Sequence, residues 1–244
     1  MQTINAVQGA AHRARHPNIQ VQQFLARLPM FGELTEQEID RIAAGTNSVY
    51  AAKGEAVVQR GDPCVGFHVV VYGQVKLGFT SEQGAEKVVE IVGPGQSFGE
   101  ALMFLDKSYI VFAQALADTM LLHVSKRTVF EEIERDPRFA HRVISGLSRR
   151  LHGLVRDVEA YSLKCSAERV IGYLLREEAG RTNGEGGVLE IELSAGKSVI
   201  ASRLNMTPEH FSRVLHDLSQ AGLISVDGRM VRVHDLERLR GSGF

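Results

Sequence analysis

Cysteine is scarce: of 244 residues only Cys64 and Cys165 carry a thiol, too far apart in sequence for a paired-cysteine metal site. They read as ordinary reduced thiols, not as a disulfide framework. Apolar runs are also short, and none approaches the roughly 18 residues that a membrane span requires. The opening stretch "MQTINAVQGAAHRARHPNIQ" lacks the charged-then-apolar order of a secretory signal, so the cytoplasm is the expected compartment and no membrane partner is expected. Net charge is nearly absent, at −1, and Tyr161–Phe244 holds 11 Lys plus Arg against 11 Asp plus Glu. Any contact with nucleic acid must therefore rest on where charges sit, not on bulk basicity. Catalytic signatures are missing too. There is no Ser-His-Asp constellation and no H-E-x-x-H, and "SAGKS" at Ser194–Ser198 lacks the first glycine and spacing of a phosphate loop. An enzyme is not expected.

What remains is a chain with 44% hydrophobic and 23% charged residues, as in soluble globular proteins, long enough for two modest domains. Its character changes along its length. Residues 1–20 are polar, with His12, Arg13, Arg15 and His16 but no acid, and suggest a flexible arm. Residues 21–48 predict one or two short helices, the second opened by a capping box, Thr35 with Glu38 three residues on. From Val49 to Val124, "EAVVQ", "GFHVVVYGQVKLGF", "EKVVEIVG" and "MLLHV" are parted by turns rich in Gly, Pro and Asp. Short strands so punctuated predict an antiparallel barrel or sandwich. Beyond "RDPRF", apolar residues recur at Ala140, Ile144, Leu147, Leu151, Leu154, Val158, Tyr161 and Cys165. Steps alternating between four and three make a narrow seam of period 3.5; the alternative, an amphipathic helix packed on its own domain, usually shows a wider stripe of period 3.6, so the expectation is a long helix paired with its own copy in a two-fold homodimer.

The remainder predicts a helix over "CSAERVIGYLLREEAG", ending at Gly180, a loop "RTNGEGG", a strand "VLEIEL" and a short helix in "SAGKSVIASRLNM" with Ser194 as N-cap. After the turn Asn205-Met206 comes "TPEHFSRVLHDL", with Thr207 as N-cap and Pro208 in the first turn. Phe211, Val214, Leu215 and Leu218 form its apolar face, and "AGLISVDGRMVRVHD" closes as a two-stranded wing with Asp-Gly at the corner. Helix, strand, helix, tight turn, helix and wing make a winged helix-turn-helix, whose second helix enters the major groove N-terminus first. The first turns of that helix hold Glu209, His210, Ser212 and Arg213. Arg213 can grip guanine O6 and N7, Glu209 can accept from cytosine N4, and Ser212 can reach a base edge. Ser202, Arg203 and Thr207 are the candidates for phosphate contacts. Double-stranded DNA is the expected partner.

In this order the parts resemble the Crp–Fnr superfamily of bacterial transcription regulators, over nearly the whole chain from residue 21. The most specific matches are "GPGQSFGEALMF", Gly93–Phe104, and "EHFSR", Glu209–Arg213. The resemblance implies an α+β fold: a β-roll sensor domain over 21–135, a dimerisation helix over 136–163 and a winged helix-turn-helix over 164–244. It implies that Glu209 and Arg213, which can bond each other, read a G·C pair in each half-site, and that RNA polymerase is a further partner. The Glu-x-x-Ser-Arg form is similar to the Fnr and Dnr branches and implies a TTGAT-type palindrome. Cyclic-AMP receptors of this superfamily hold the phosphate with an Arg-Ser pair beyond the glutamate of "FGE". Here Tyr109 and Ile110 stand there, with Lys107 and Ser108 displaced, which argues against cyclic AMP. The iron–sulfur sensors need four cysteines, so a cluster is excluded. "EALMFLDKSYIVFAQA" looks like the Dnr branch, which responds to nitric oxide. That makes haem a candidate cofactor, in a pocket of Glu100, Leu102, Met103, Phe104, Tyr109 and Phe112. His12, His16, His68, His123 and His152 are available as iron ligands, though no pair shows a ligand motif. The alternatives are a cyclic-nucleotide-responsive regulator, or a nucleotide-binding module without DNA, which would need no winged domain.

Overall fold

The computed structural model describes residues 20–28, 31, 34–178 and 189–241; all but the last residue of the expected arm over 1–20, the loop "RTNGEGG" and Gly180 lie outside the described residues. Two short helices, α1 (Val21–Leu25) and α2 (Glu36–Ala44), lead into the first domain. The capping box forms as expected: Glu38 Oε2 accepts from the Thr35 amide at 2.7 Å, and Thr35 Oγ1 accepts from the Glu38 amide.

Eight strands follow: β1 (Thr46–Ala51), β2 (Ala56–Val58), β3 (Gly66–Tyr72), β4 (Val75–Thr80), β5 (Glu86–Val92), β6 (Ser97–Phe98), β7 (Phe112–Ala115) and β8 (Thr119–Ser125), with helix α3 (Glu100–Leu105) after β6. They form two antiparallel sheets, ordered β1-β8-β3-β6 and β2-β7-β4-β5. The sharp corner between β3 and β4, where the chain passes from one sheet to the other, contains Gly73 at φ 81°, a conformation that a side chain disfavours. Between the sheets lies one core, with Phe67, Val70, Val75, Phe98, Leu121 and Leu122 almost wholly buried.

Helix α4 (Lys126–Arg135) closes the roll. Its Glu132 is only 3% exposed, and the Arg41 fork of α2 meets it through Nε–Oε1 at 2.7 Å and Nη2–Oε2 at 2.9 Å. Arg135 adds a 3.2 Å contact, so this buried carboxylate ties α2 to α4. Helix α5 (Pro137–Leu163) then leaves the roll, its first turn anchored by Phe139 stacked on Phe31 at 5.9 Å. α5 ends before Cys165, so the last step of the expected seam falls in the joint between helices. There Cys165 opens α6 (Ser166–Glu178), its amide donating to Glu168 Oε2 at 2.6 Å.

A second core gathers α6, β9 (Leu189–Glu192), α7 (Lys197–Arg203), α8 (Pro208–Gln220), β10 (Ile224–Asp227), β11 (Met230–Val233) and α9 (Leu236–Gly241). Three expectations are corrected here. The wing is three-stranded, β10-β11-β9, because β9 returns to pair with β11, from Leu189 opposite Val233 to Glu192 opposite Met230. Its corner is Gly228-Arg229 and not Asp-Gly, since Asp227 still pairs with Met230 while Gly228 takes φ 57°. α7 is capped by Gly196 and not by Ser194, whose hydroxyl is bonded to the Tyr173 hydroxyl at 2.7 Å. The fold is α+β, with an antiparallel roll and a helix-turn-helix domain.

Candidate DNA-reading helix and effector cleft

Helix α8 begins where its local chemistry dictates. Thr207 is extended at φ −78°, ψ 156°, its hydroxyl accepts from the His210 amide at 3.2 Å, and Pro208 fills the first turn. Phe211, Val214, Leu215 and Leu218 are buried, which turns Glu209, Ser212 and Arg213 to solvent and leaves His210 half-buried. Bonds from its own amide and from the Thr207 side chain hold the Glu209 carboxyl below the usual carboxylate range. Glu209 thus belongs to the cap of α8, and among the described residues no bond joins it to Arg213. The expected mutual bond is replaced by the cap because a carboxylate in a first turn finds free amides close by.

Ser202 and Arg203 face elsewhere than expected. The Val88 amide of β5 donates to Ser202 Oγ at 2.9 Å, and Arg203 Nη2 meets Asp157 Oδ2 of α5 at 2.5 Å. Both lie half-buried against the roll and the long helix, because they sit at the end of α7 nearest β5. The opposite end of α7 presents exposed Ser198 and half-exposed Lys197, inside the "SAGKS" stretch that reads in sequence as a helix start and not as a phosphate loop.

Along α5 the apolar seam is bare. Ile144 is 59% exposed, Leu151 63%, Leu154 47% and Val158 63%, and Val155 at 58% widens the stripe. Ala140 is half-buried, while Leu147 packs against the roll core; the Tyr161 side chain lies outside the described residues.

Between the roll and α5 lies a cleft of about 240 Å³. Its apolar wall is Phe31, Phe67, Val69 and Leu147; its polar groups are Glu90, Gln96, Glu100 and Arg149. Glu100, only 4% exposed, starts α3 directly after Gly99, which holds φ 102°; a Cβ there would lie 2.7 Å from the Tyr109 hydroxyl. Of the six residues expected to line an effector pocket, only Glu100 reaches this cleft. Met103 is fully buried, Leu102 packs on the core, and Phe104 meets Phe130 at 5.5 Å. Tyr109 is buried beneath Gly99, with its hydroxyl 3.5 Å from His68 Nδ1, and Phe112 lies under the Lys76 ammonium at 5.3 Å. In α3 Met103 turns into the core while Leu102 and Phe104 take other faces, and Tyr109 and Phe112 follow after the helix has ended, so only its first residue faces the cleft.

The histidines are equally dispersed. His12 and His16 lie outside the described residues, and His152 is exposed on α5. His68 stacks on Phe98 at 5.0 Å, and burial, with His123 beside it, pushes its imidazole down to about 3. Burial also lowers His123, whose ring centroid is 4.8 Å from that of His68. Haem iron is held by His, Cys, Met or Tyr, and none of these lines the cleft. The described lining does not fit a haem. No group of three or more metal-ligating side chains occurs among the described residues.

A capped helix with exposed polar first turns, a bare apolar helix and a cleft against that helix are the parts that a ligand-controlled DNA-binding regulator needs. Comparison with known proteins supports this class. A profile for the "Cyclic nucleotide-binding domain" matches residues 48–136, and one for the "Crp-like helix-turn-helix domain" matches residues 168–241. The chain is 24% identical over 217 residues to the "CRP-like cAMP-activated global transcriptional regulator" of Mycobacterium tuberculosis, covering 89% of this chain and 97% of that protein. It is 26% identical over 216 residues to the "Cyclic AMP receptor protein" of Thermus thermophilus, covering 88% and 97%. Among solved structures, DNR from Pseudomonas aeruginosa is 32% identical with a TM-score of 0.50, covering 90% of this chain and 96% of that one. The chain belongs to the Crp–Fnr family, whose members are transcription regulators and not enzymes. Among the described residues no helix is long and apolar enough to cross a membrane.

Proposed function

We propose that this protein is a homodimeric transcription regulator that reads a TTGAT-type palindrome through α8 and is controlled by a small effector in the cleft between roll and α5. The observation that carries it is the N-terminal end of α8: Glu209, Ser212 and Arg213 exposed together on a helix fixed by the Thr207 cap. Arg213 supplies the fork for guanine, and Glu209 accepts from the paired cytosine. Thr207, Lys197 and Ser198 supply phosphate contacts, since the first helix of such a motif crosses the DNA backbone. The bare seam of α5 packs against its copy, and RNA polymerase is the further partner. A band shift of the palindrome against scrambled DNA of equal length tests this directly. Equal retention of both would sink sequence-specific reading.

The likeness to DNR and the "EHFSR" element support the Dnr branch and, with it, a response to nitric oxide. If haem is the cofactor, its ligands must come from outside the described cleft lining. Protein purified from haem-supplied cells should then show a Soret band that shifts with nitric oxide. A second reading, a cyclic-nucleotide effector, is favoured by buried Glu100 in the cleft and by the names of two relatives. Against it, Tyr109 is buried and Ile110 is 56% exposed where the phosphate-binding pair would stand. Titration with cyclic AMP, followed by palindrome affinity, separates the two.

A further inference from the structure

β5 is the outer strand of its sheet, bonded on one side only, to β4. Outer strands leave amides and carbonyls without partners, and such edges need cover. Here the cover is the DNA-binding domain of the same chain. The Val88 amide donates to Ser202 Oγ at 2.9 Å, while the Lys87 ammonium donates to the Ser202 carbonyl and, at 3.3 Å, to Asn205 Oδ1. The β4–β5 ladder shifts register between Leu77 and Gly78, opposite Glu90 and Val88, so the strand is irregular where α7 docks. Bulges of this kind re-aim a strand at functional places.

A second tie lies beside the first. Arg203 Nη2 meets Asp157 Oδ2 at 2.5 Å with side-chain exposures of 18% and 13%, and Arg176 reaches the same carboxylate at 3.4 Å. Neither tie lines the cleft, but each is anchored on an element, β5 or α5, that also supplies cleft residues. β5 runs on from Val88 to Glu90 in the cleft wall, and α5 contributes Leu147 and Arg149 to it as well as Asp157 below. On the other side, Asn205 at φ 57° is the turn into α8, two residues before the Thr207 cap.

We propose that Ser202 and Lys87 are positioning residues: with Arg203–Asp157 they hold the reading helix in the one orientation that lets a dimer engage both half-sites of a palindrome. Docking leaves Glu209, Ser212 and Arg213 exposed, so the junction orients the reader without masking it. The palindrome arm of the test rests on the proposed function; the existence of the junction does not.

The test uses full-length Ser202→Ala, Lys87→Met and Ser202→Thr, with DNA affinity measured for the palindrome, an isolated half-site and random DNA. Amide exchange at Val88 is followed in parallel. Ser202→Ala and Lys87→Met should each lose roughly tenfold in palindrome affinity and keep half-site affinity, because only orientation between readers is lost. Ser202→Thr keeps the hydroxyl and should retain both palindrome binding and slow exchange at Val88. Fast Val88 exchange in the unaltered protein would remove the junction. Palindrome affinity unchanged or raised in both Ser202→Ala and Lys87→Met would overturn the positioning role. If the unaltered protein does not distinguish palindrome from random DNA, the failure lies in the proposed function, and Val88 exchange still decides whether the junction forms.

Discussion

At the scale of single residues, Arg213 and His68 show what a sequence can and cannot reveal. The exposed position of Arg213 was legible because Phe211, Val214, Leu215 and Leu218 claim the opposite face of its helix. Arg213→Ala should cost about 1–3 kcal/mol per half-site and relax preference at the guanine, since a bidentate pair is lost. Affinity falling equally on palindrome and random DNA would show that Arg213 only holds phosphate. His68 was read as an available iron ligand, and nothing in "GFHVVVY" said otherwise. Its neighbours Phe98, Tyr109 and His123 come from distant strands and loops, and they make it a buried, neutral imidazole. Because its folded pKa is lowered to about 3, the unfolded chain binds a proton there below the ordinary imidazole value of 6.5 that the folded chain refuses. Stability should therefore fall as pH drops from about 6.5 towards 3, by on the order of 2 kcal/mol at pH 5. His68→Phe should flatten that limb in denaturant titrations at pH 7 and pH 5. An unchanged acid limb would assign it to other groups.

At the scale of elements, periodicity was read correctly where one face meets one environment and misread where two meet. The four-and-three spacing of α5 revealed a long helix, and Ile144, Leu151, Leu154 and Val158 are bare as a seam should be. Leu147 in the same register instead packs on the roll, and Cys165 lies past the helix end, because spacing alone does not name the neighbour. Ser194 illustrates the same limit: "SAGKS" offers a cap locally, but Tyr173 takes the hydroxyl and Gly196 starts the helix. The strand β9 was legible in "VLEIEL", but its place in the wing was not, because it pairs with β11 across two intervening helices. Leu151→Glu places a charge in the middle of an apolar interface, where its desolvation is not compensated. Analytical ultracentrifugation should find a monomer that barely shifts the palindrome. A dimer of unchanged stability would move the interface off α5.

At the scale of the whole molecule, the cleft could not be read from sequence because no single segment builds it. Phe31 comes from the N-terminal stretch, Phe67 and Val69 from β3, Glu90 from β5, Glu100 from α3, and Leu147 and Arg149 from α5. Only the glutamate of "SFGE" carried a local signal. The assembly nonetheless has a consequence that any effector must obey. A dimer sets its two reading helices about 34 Å apart, one turn of DNA, so small changes at α5 are enough to set or spoil the spacing. A ligand wedged between roll and α5 acts only by binding the competent spacing more tightly than the incompetent one. A difference of about 2–3 kcal/mol changes palindrome affinity by roughly 30- to 150-fold, and DNA must raise ligand affinity by the same factor. Protein stripped of small molecules by unfolding and refolding should accordingly bind the palindrome weakly, and an extract of its own cells should restore tight binding. Arg149→Ala and Glu100→Gln, which alter the cleft and leave α8 untouched, should blunt that restoration without changing half-site affinity. If stripped protein already binds the palindrome as tightly as loaded protein, the spacing is fixed without a ligand and the protein is a constitutive binder.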